Sequence, residues 1–396
     1  MRFVVAALFA LTIAGCSAPA AVAPTSTPSA ASSSAAPTAT PTAAATARAT
    51  STLPPTPTPI TELSQVFRPL ANGWRPTGPT LMFSTNEGGP SATLVAVPFG
   101  PNGRTGEPTR LVTFTGQGWD LRSDGGALAV AVGTATGLRI AVWDIASAAG
   151  RWITPADPSA SVSAPVWSID GRSIFFGSSQ GNSLGAVERI GSDGQGRATI
   201  ATLDRFGQLE GIAPDGRGLI WTRGQAGGSA EILDIATGAS RHLDDVARVV
   251  SWRLRQPRIL LSVGGCCAGR PGGSLVAFDD VAMTSRAVAE RSALGTVAFG
   301  GGAWDPTGTR IAAARYDETS PYDAMLAIVD PEAGTVRPIS DVLGVGVVLW
   351  LDEGIVVTRT LTRSATTDIA FVPPQGGPSV TLYGGAGIGR LVVVRP

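Results

Sequence analysis

The sequence predicts an all-β fold, a β-propeller of seven four-stranded antiparallel blades. Three observations predict it. A short motif recurs seven times at blade spacing. Each copy leads into β-rich runs separated by turn residues. No stretch of the repeating region carries the 3.6-residue apolar period of an amphipathic helix of three turns.

The motif is clearest at Trp304-Asp305-Pro306-Thr307-Gly308-Thr309-Arg310-Ile311. Trp167-Ser168-Ile169-Asp170-Gly171 and Trp74-Arg75-Pro76-Thr77-Gly78 match it, and Ile212-Ala213-Pro214-Asp215-Gly216 keeps the turn but not the Trp. Trp119 leads a copy with one extra residue, and Trp252 and Trp350 lead degenerate ones. The anchors at 74, 119, 167, 212, 252, 304 and 350 lie 40 to 52 residues apart. Six of the nine Trp fall on this one position, so it is read as the end of each innermost strand, packing between neighbouring sheets. In Pro-Asp-Gly, Pro presets φ, Asp caps the turn through its own backbone, and Gly takes φ > 0.

The elements follow in the same order within each unit. After the turn comes an apolar second strand, such as Ile174-Phe175-Phe176 or Ile355-Val356-Val357. The third strand often closes on Asp, as in Val142-Trp143-Asp144, Leu233-Asp234 and Val329-Asp330, and these Asp are read as turn caps. A weaker, more polar outer strand completes the unit. Past the seventh outer strand the chain continues into Ile388 to Val394, another apolar run. It is expected to return to blade 1 and close the ring there, replacing or reinforcing the poorly β-like Leu70 to Gly73 segment, because closure removes exposed sheet edges.

Residues 61–396 supply the propeller. Before them, 40 of the 44 residues from Ser17 to Ile60 are Ala, Pro, Ser or Thr, a composition that cannot bury enough apolar surface to order itself. Residues 16–60 are therefore read as a disordered stalk. Residues 1–15 read as a signal peptide, with Met1-Arg2 as basic n-region and Phe3 to Ala14 as an apolar h-region too short to span a bilayer. Leu11-Thr12-Ile13-Ala14-Gly15-Cys16 resembles the lipobox of bacterial lipoproteins. That resemblance implies lipidation of Cys16, a membrane partner through the N-terminal lipid, and a place in the bacterial cell envelope on the extracytoplasmic side.

The repeats resemble those of the TolB-type propeller family, whose units read Trp-Ser-Pro-Asp-Gly followed by an apolar strand. The resemblance covers about 61–396 and implies the propeller fold. Two departures limit it. Seven units are present where the TolB propeller has six, and there is no room for TolB's extra N-terminal domain. TolB's partner is therefore not carried over.

Composition narrows the chemistry. All thirty basic residues are Arg, the one His is His242, and thirty acids balance the charge to zero. Without Lys there is no P-loop, no kinase-type phosphate contact and no Schiff base. One His excludes multi-His zinc sites and His pairs within a chain. No cofactor or metal is expected, and the missing basic surplus argues against nucleic acid. Gly177-Ser178-Ser179-Gln180-Gly181 matches the hydrolase elbow, but a strand follows where a helix is needed. Gly385, Gly387 and Gly389 lack a βαβ context and read as a joint before the closing strand. Cys266-Cys267 either form a vicinal disulfide or remain two small buried thiols.

Antiparallel order brings all loops between second and third strands to one face. On blades 5 to 7 these loops hold Arg270, then Tyr316, Asp317, Glu318, Tyr322 and Asp323, then Arg359 and Arg363. This is the candidate binding face, since Tyr and Arg are favoured at binding hot spots. Glu210 and Arg248, just before adjacent anchors, are expected to line the channel mouth or to pair with each other. The leading functional expectation is a non-enzymatic binding or scaffolding module for a protein, peptide or glycan. The alternatives are an enzyme acting on glycans through Asp317, Glu318 or Asp323, and a purely structural envelope protein.

Overall fold

The computed structural model describes residues 6–7, 62–86, 91–135, 137–155, 160–180, 185–203, 207–223, 229–243, 246–252, 259–263, 273–282, 284–290, 297–317, 323–360, 367–373, 375, 377–385 and 387–396. One compact unit comprises Met1–Leu11 and Pro59–Pro396, and the other, Thr12–Thr58, lies outside the described residues.

Seven antiparallel sheets follow one another along the chain. Blade 2 runs Gly118–Leu121, Ala127–Thr134, Gly137–Asp144 and Ala149–Trp152 from channel to rim. Blade 3 splits its inner strand into Ala160–Val162 and Val166–Trp167, both paired with Ser173–Gln180, and ends with Gly185–Gly191 and Ala198–Leu203. Blades 4, 5, 6 and 7 open with Gln208–Ile212, Val246–Trp252, Ala298–Trp304 and Val345–Trp350, and each adds three further strands. These four inner strands carry register shifts against their neighbours, and such bulges add the local twist that a narrow ring centre demands.

Blade 1 is composite. Its inner strand is Ile388–Val394, which pairs antiparallel with Thr80–Thr85, Met82 opposite Val392. Ser91–Gly100 and Thr109–Thr115 follow, and Phe67–Pro69 adds an outermost strand on Thr109–Thr115. The closing strand thus takes the inner position of blade 1 outright. Leu70 to Gly73 becomes part of a connection, tied at Leu70 N–H and Ala71 N–H to Leu111 O. On its channel side the closing strand also pairs with Ala6–Ala7. Gly387 and Gly389 are required where it crosses blade 1: φ is +61° at Gly387, and a Cβ at either would collide with Asn86 or Ser84.

The second strands are buried on both faces, so they read as continuous apolar runs. Leu81 and Phe83 face blade 7, while Met82 faces blade 2. Seven apolar clusters result, one at each interface between neighbouring blades. Trp167, Trp304 and Trp350 end their inner strands and are buried in these clusters, as expected. Two Trp depart from the expected position. Trp119 sits two residues early, and Leu121 fills the anchor place before the turn closed by Gly125 N–H to Arg122 O. Trp74 is off the ring centre altogether, because the closing strand has taken the place it would have ended.

The turn chemistry follows the sequence. Gly125, Gly171, Gly216 and Gly308 all have φ near +70°. Asp124, Asp170 and Asp215 each accept the backbone N–H two residues on. Asp144, Asp234, Asp279 and Asp330 cap the outer hairpins in the same way. Gly216→Ala is expected to cost about 1–2 kcal/mol from φ alone, since its Cβ would meet only Ile169 at ordinary contact distance. Gly171→Ala should cost more in parallel denaturant melts, because its Cβ would also lie 2.7 Å from Arg122 Cδ. Equal costs would dismiss the steric part.

Candidate functional site

The face formed by the loops between second and third strands is partly described. Arg270, Glu318, Tyr322, Arg363, Cys266 and Cys267 lie outside the described residues, as does Cys16. Tyr316 ends the second strand of blade 6, Ile311–Tyr316, and packs half-buried against the cluster between blades 6 and 7. Its ring lies over the inner strand, where a Cβ on Gly300 would come within 3.2 Å of Tyr316 Cε2. Asp317 follows, with Oδ2 3.5 Å from Arg315 Nη1. Asp323 sits half-buried in the bend before the third strand.

Arg359 lies inside the strand Ile355–Thr360 rather than in the loop, and its guanidinium grips Asp368 with two bonds, of 2.7 and 2.5 Å. It also donates to Ser379 Oγ and Thr381 Oγ1, tying the second, third and outer strands of blade 7 together. The Asp368 carboxylate holds the Arg359 pKa above its ordinary value. Glu210 accepts a 2.7 Å hydrogen bond from Thr222 Oγ1 within blade 4. Arg248 lies on the inner strand of blade 5, opposite Ser262, and its side chain is outside the described set.

The elbow-like motif is structural. Ser178 and Ser179 are strand residues paired with Ala186 and Gly185. Ser178 Oγ donates to Glu188 Oε1, and Arg197 clasps the same carboxylate. Burial pushes the Glu188 carboxyl up, but the bonds from Arg197 and Ser178 outweigh it and hold its pKa low. Gly177 is required by packing, since a Cβ there would lie 2.6 Å from the Trp221 ring. His242 is an exposed residue of the outer strand Ser240–Leu243, with Nδ1 3.9 Å from Glu231 Oε1.

A second constellation lies near the ring centre, on residues other than the Glu210 and Arg248 expected at the channel mouth. Arg390 of the closing strand meets Asp120 of blade 2, Nη2 to Oδ1, at 2.9 Å. Asp120 Oδ2 accepts the backbone N–H of Trp167 in blade 3 at 2.7 Å, and Oδ1 accepts that of Leu121 at 2.8 Å. Arg390 Nη1 donates to Trp119 O. Asp120 is 5% exposed and Arg390 8%. Burial pushes the Asp120 carboxyl up, against the opposing pull of Arg390 and two backbone N–H groups, and its pKa is raised. The same register position recurs in blade 5, where Ser251 Oγ accepts the Trp304 N–H of blade 6 at 3.4 Å.

A third feature lies on the opposite end from the blade 5–7 loops. The strap that carries Trp74 crosses to blade 2, where Gly73 N–H bonds Ala146 O. With the two turns of blade 2 it borders an open cleft of about 490 Å³, lined among others by Trp74, Arg75, Arg122, Asp124, Asp144 and Ser147. Reading Trp74 as a ring anchor hid this feature in the sequence.

The arrangement defines the class: the chain is a seven-bladed β-propeller whose ring is closed by its strand Ile388–Val394. No protein-family model and no curated protein matches the sequence. Among solved structures, a prolyl endopeptidase is similar over 81% of this chain and 50% of its own, with a TM-score of 0.54 and 12% identity. An oligogalacturonate lyase in complex with manganese is similar over 81% of this chain and 98% of its own, at 0.50 and 11%. TolB from Acinetobacter baumannii is similar over 66% of this chain and 64% of its own, at 0.43 and 17%. This chain therefore spans only about half to two-thirds of the endopeptidase and TolB chains. The likenesses to the endopeptidase and the lyase show the propeller fold alone, and a fold does not by itself fix an activity. Among the described residues no three His, Cys, Asp or Glu gather as a metal site, and no helix is long and apolar enough to cross a membrane.

Proposed function

We propose that this chain is a lipoprotein anchored through Cys16 on the extracytoplasmic side of a bacterial membrane. Its propeller is a non-enzymatic binding module for a protein, peptide or glycan, held away from the membrane by the stalk of residues 16–60. A mature chain beginning at Cys16 lacks Ala6–Ala7, which leaves the channel edge of the closing strand free.

The observation that carries the binding reading is the chemistry of the blade 6–7 loop face. Tyr316 is fixed over the inner strand at that end, and the neighbouring described charges are engaged as pairs, Arg315 with Asp317 and Arg359 with Asp368. A preordered Tyr among paired charges suits recognition, where an acid–base site needs two carboxyls poised with different pKa values.

The test is affinity capture from envelope extracts with the full chain, comparing wild type with Tyr316→Ala/Tyr322→Ala. Loss of a captured partner is expected from a variant that is less stable, because the Tyr316 packing is lost, but still folded at the temperature of capture. Equal recovery of every partner would dismiss this face. In the same preparations Cys16→Ser is expected to move the chain to the soluble fraction, and continued membrane retention would overturn the anchor.

A further inference from the structure

The cleft beneath the Trp74 strap has a chemistry of its own. Trp74 is half-buried, packed on one side against the cluster between blades 1 and 2. Its indole N–H makes no hydrogen bond among the described residues. Arg75, beside it, is exposed and has no hydrogen-bond or ion-pair partner among them. Asp124 takes Arg122 Nε and Gly126 N–H on Oδ1, each at 2.8 Å, and nothing on Oδ2. Asp144 takes the Ser147 N–H and hydroxyl on Oδ1, at 2.8 and 2.7 Å, and nothing on Oδ2. Both carboxyls are held low in pKa by these hydrogen bonds and by nearby Arg, against burial, so both are ionised acceptors.

The site thus combines one aromatic plate, unused donors on Arg75 and Arg122, and unused acceptors on Asp124 and Asp144. The lining side chains, two Arg and two Asp, sum to no net charge, and the carboxyl of Pro396 lies beside them. An anion is opposed by the carboxyls and a cation by the two Arg. A neutral polyol gains from both, because each hydroxyl donates one hydrogen bond and accepts others. The C–H face of a sugar ring is the apolar surface that stacks on an indole. The volume lies within the range of small-ligand sites. The strap also explains why this Trp is free for the purpose: the closing strand has taken the ring position that Trp74 would have filled.

We propose that the cleft between the Trp74 strap and the two turns of blade 2 binds a neutral oligosaccharide stacked on Trp74. This site is independent of the blade 5–7 face and lies at the other end of the ring.

The test is isothermal titration and saturation-transfer NMR of the full chain with maltotetraose, cellotetraose and chitotetraose. Tetragalacturonate and a chitosan tetramer serve as anionic and cationic counterparts. At least one neutral tetramer is expected to bind, with Trp74→Ala weakening it at least tenfold and Trp74→Phe restoring most of the affinity. Asp144→Asn, which keeps the turn cap, is expected to weaken binding severalfold without changing the melting temperature. Tyr316→Ala should leave it unchanged. Failure of every neutral tetramer to bind, binding confined to the charged tetramers, or affinity indifferent to Trp74→Ala would each overturn the proposal.

Discussion

Arg390→Met is expected to destabilise the ring by about 3–5 kcal/mol in denaturant melts, the usual cost of stranding one partner of a buried ion pair. The partner left behind is Asp120, which still accepts the Trp167 and Leu121 N–H groups but has lost its counter-charge. The pH dependence has a definite sign. Burial already raises the Asp120 pKa, and without Arg390 it rises further. A carboxyl whose folded pKa exceeds its unfolded value is no burden below about pH 4, where both states are protonated. Its penalty appears in full only above the folded value. The variant should therefore be most impaired at neutral pH and closest to wild type near pH 4.

Blade 5 supplies a rescue. Ser251 does for Trp304 what Asp120 does for Trp167, without a charge. Asp120→Ser combined with Arg390→Met should recover much of the loss, because a hydroxyl meets the Trp167 N–H and no buried charge is left alone. A single-variant cost under about 1 kcal/mol, or a cost flat with pH, would show that the ion pair is not what holds this corner.

Trp221→Ala is expected to cost about 3–5 kcal/mol, in the range for buried Trp truncations. Trp221 lies on the second strand of blade 4, fully buried in the cluster between blades 3 and 4. Trp221 stands opposite Leu209 of the inner strand, while Ile212, the anchor of this copy, stands opposite Leu219. The ring is seated on Gly177 and Gly207, where any Cβ would collide with it. The protein should lose more stability at this site than at an exposed apolar residue such as Val281, and denaturant melts of the two variants make the comparison. Similar losses would mean that the interface collapses to fill the gap.

These residues show how far the fold was legible. Trp167, Trp304 and Trp350 repeat because each faces the same problem, closing an inner strand between two sheets, and a repeated problem leaves a repeated letter. The Asp and Gly of the turns were legible for the same reason. Trp119 was misread because the letter alone does not show how far the inner strand runs before its turn. Trp74 was misread because the letter does not show which chain segment occupies the inner strand of blade 1, and that depends on a partner from the far end of the domain. The Asp120–Arg390 pair joins two positions unrelated in the repeat, and the Trp74 cleft exists only because a strap was displaced. Gly177 looked like a fragment of a catalytic motif, and only the Trp221 ring above it gives the physical reason for a glycine there.

The closing strand also sets a schedule. Ile388–Val394 is the last strand of the domain to be synthesised, yet it forms the inner wall of the first blade. Thr80–Thr85 must wait for it through the making of six blades, with its inner edge unpaired. Blades 2 to 6 can stack on one another as they emerge, since their contacts are between neighbours. Blade 1 and the seam to blade 7 depend on contacts of the greatest sequence separation, which form slowly. The nascent chain is therefore an open arc until Ile388–Val394 arrives, and the inner edge of Thr80–Thr85 is exposed to mispairing for that time.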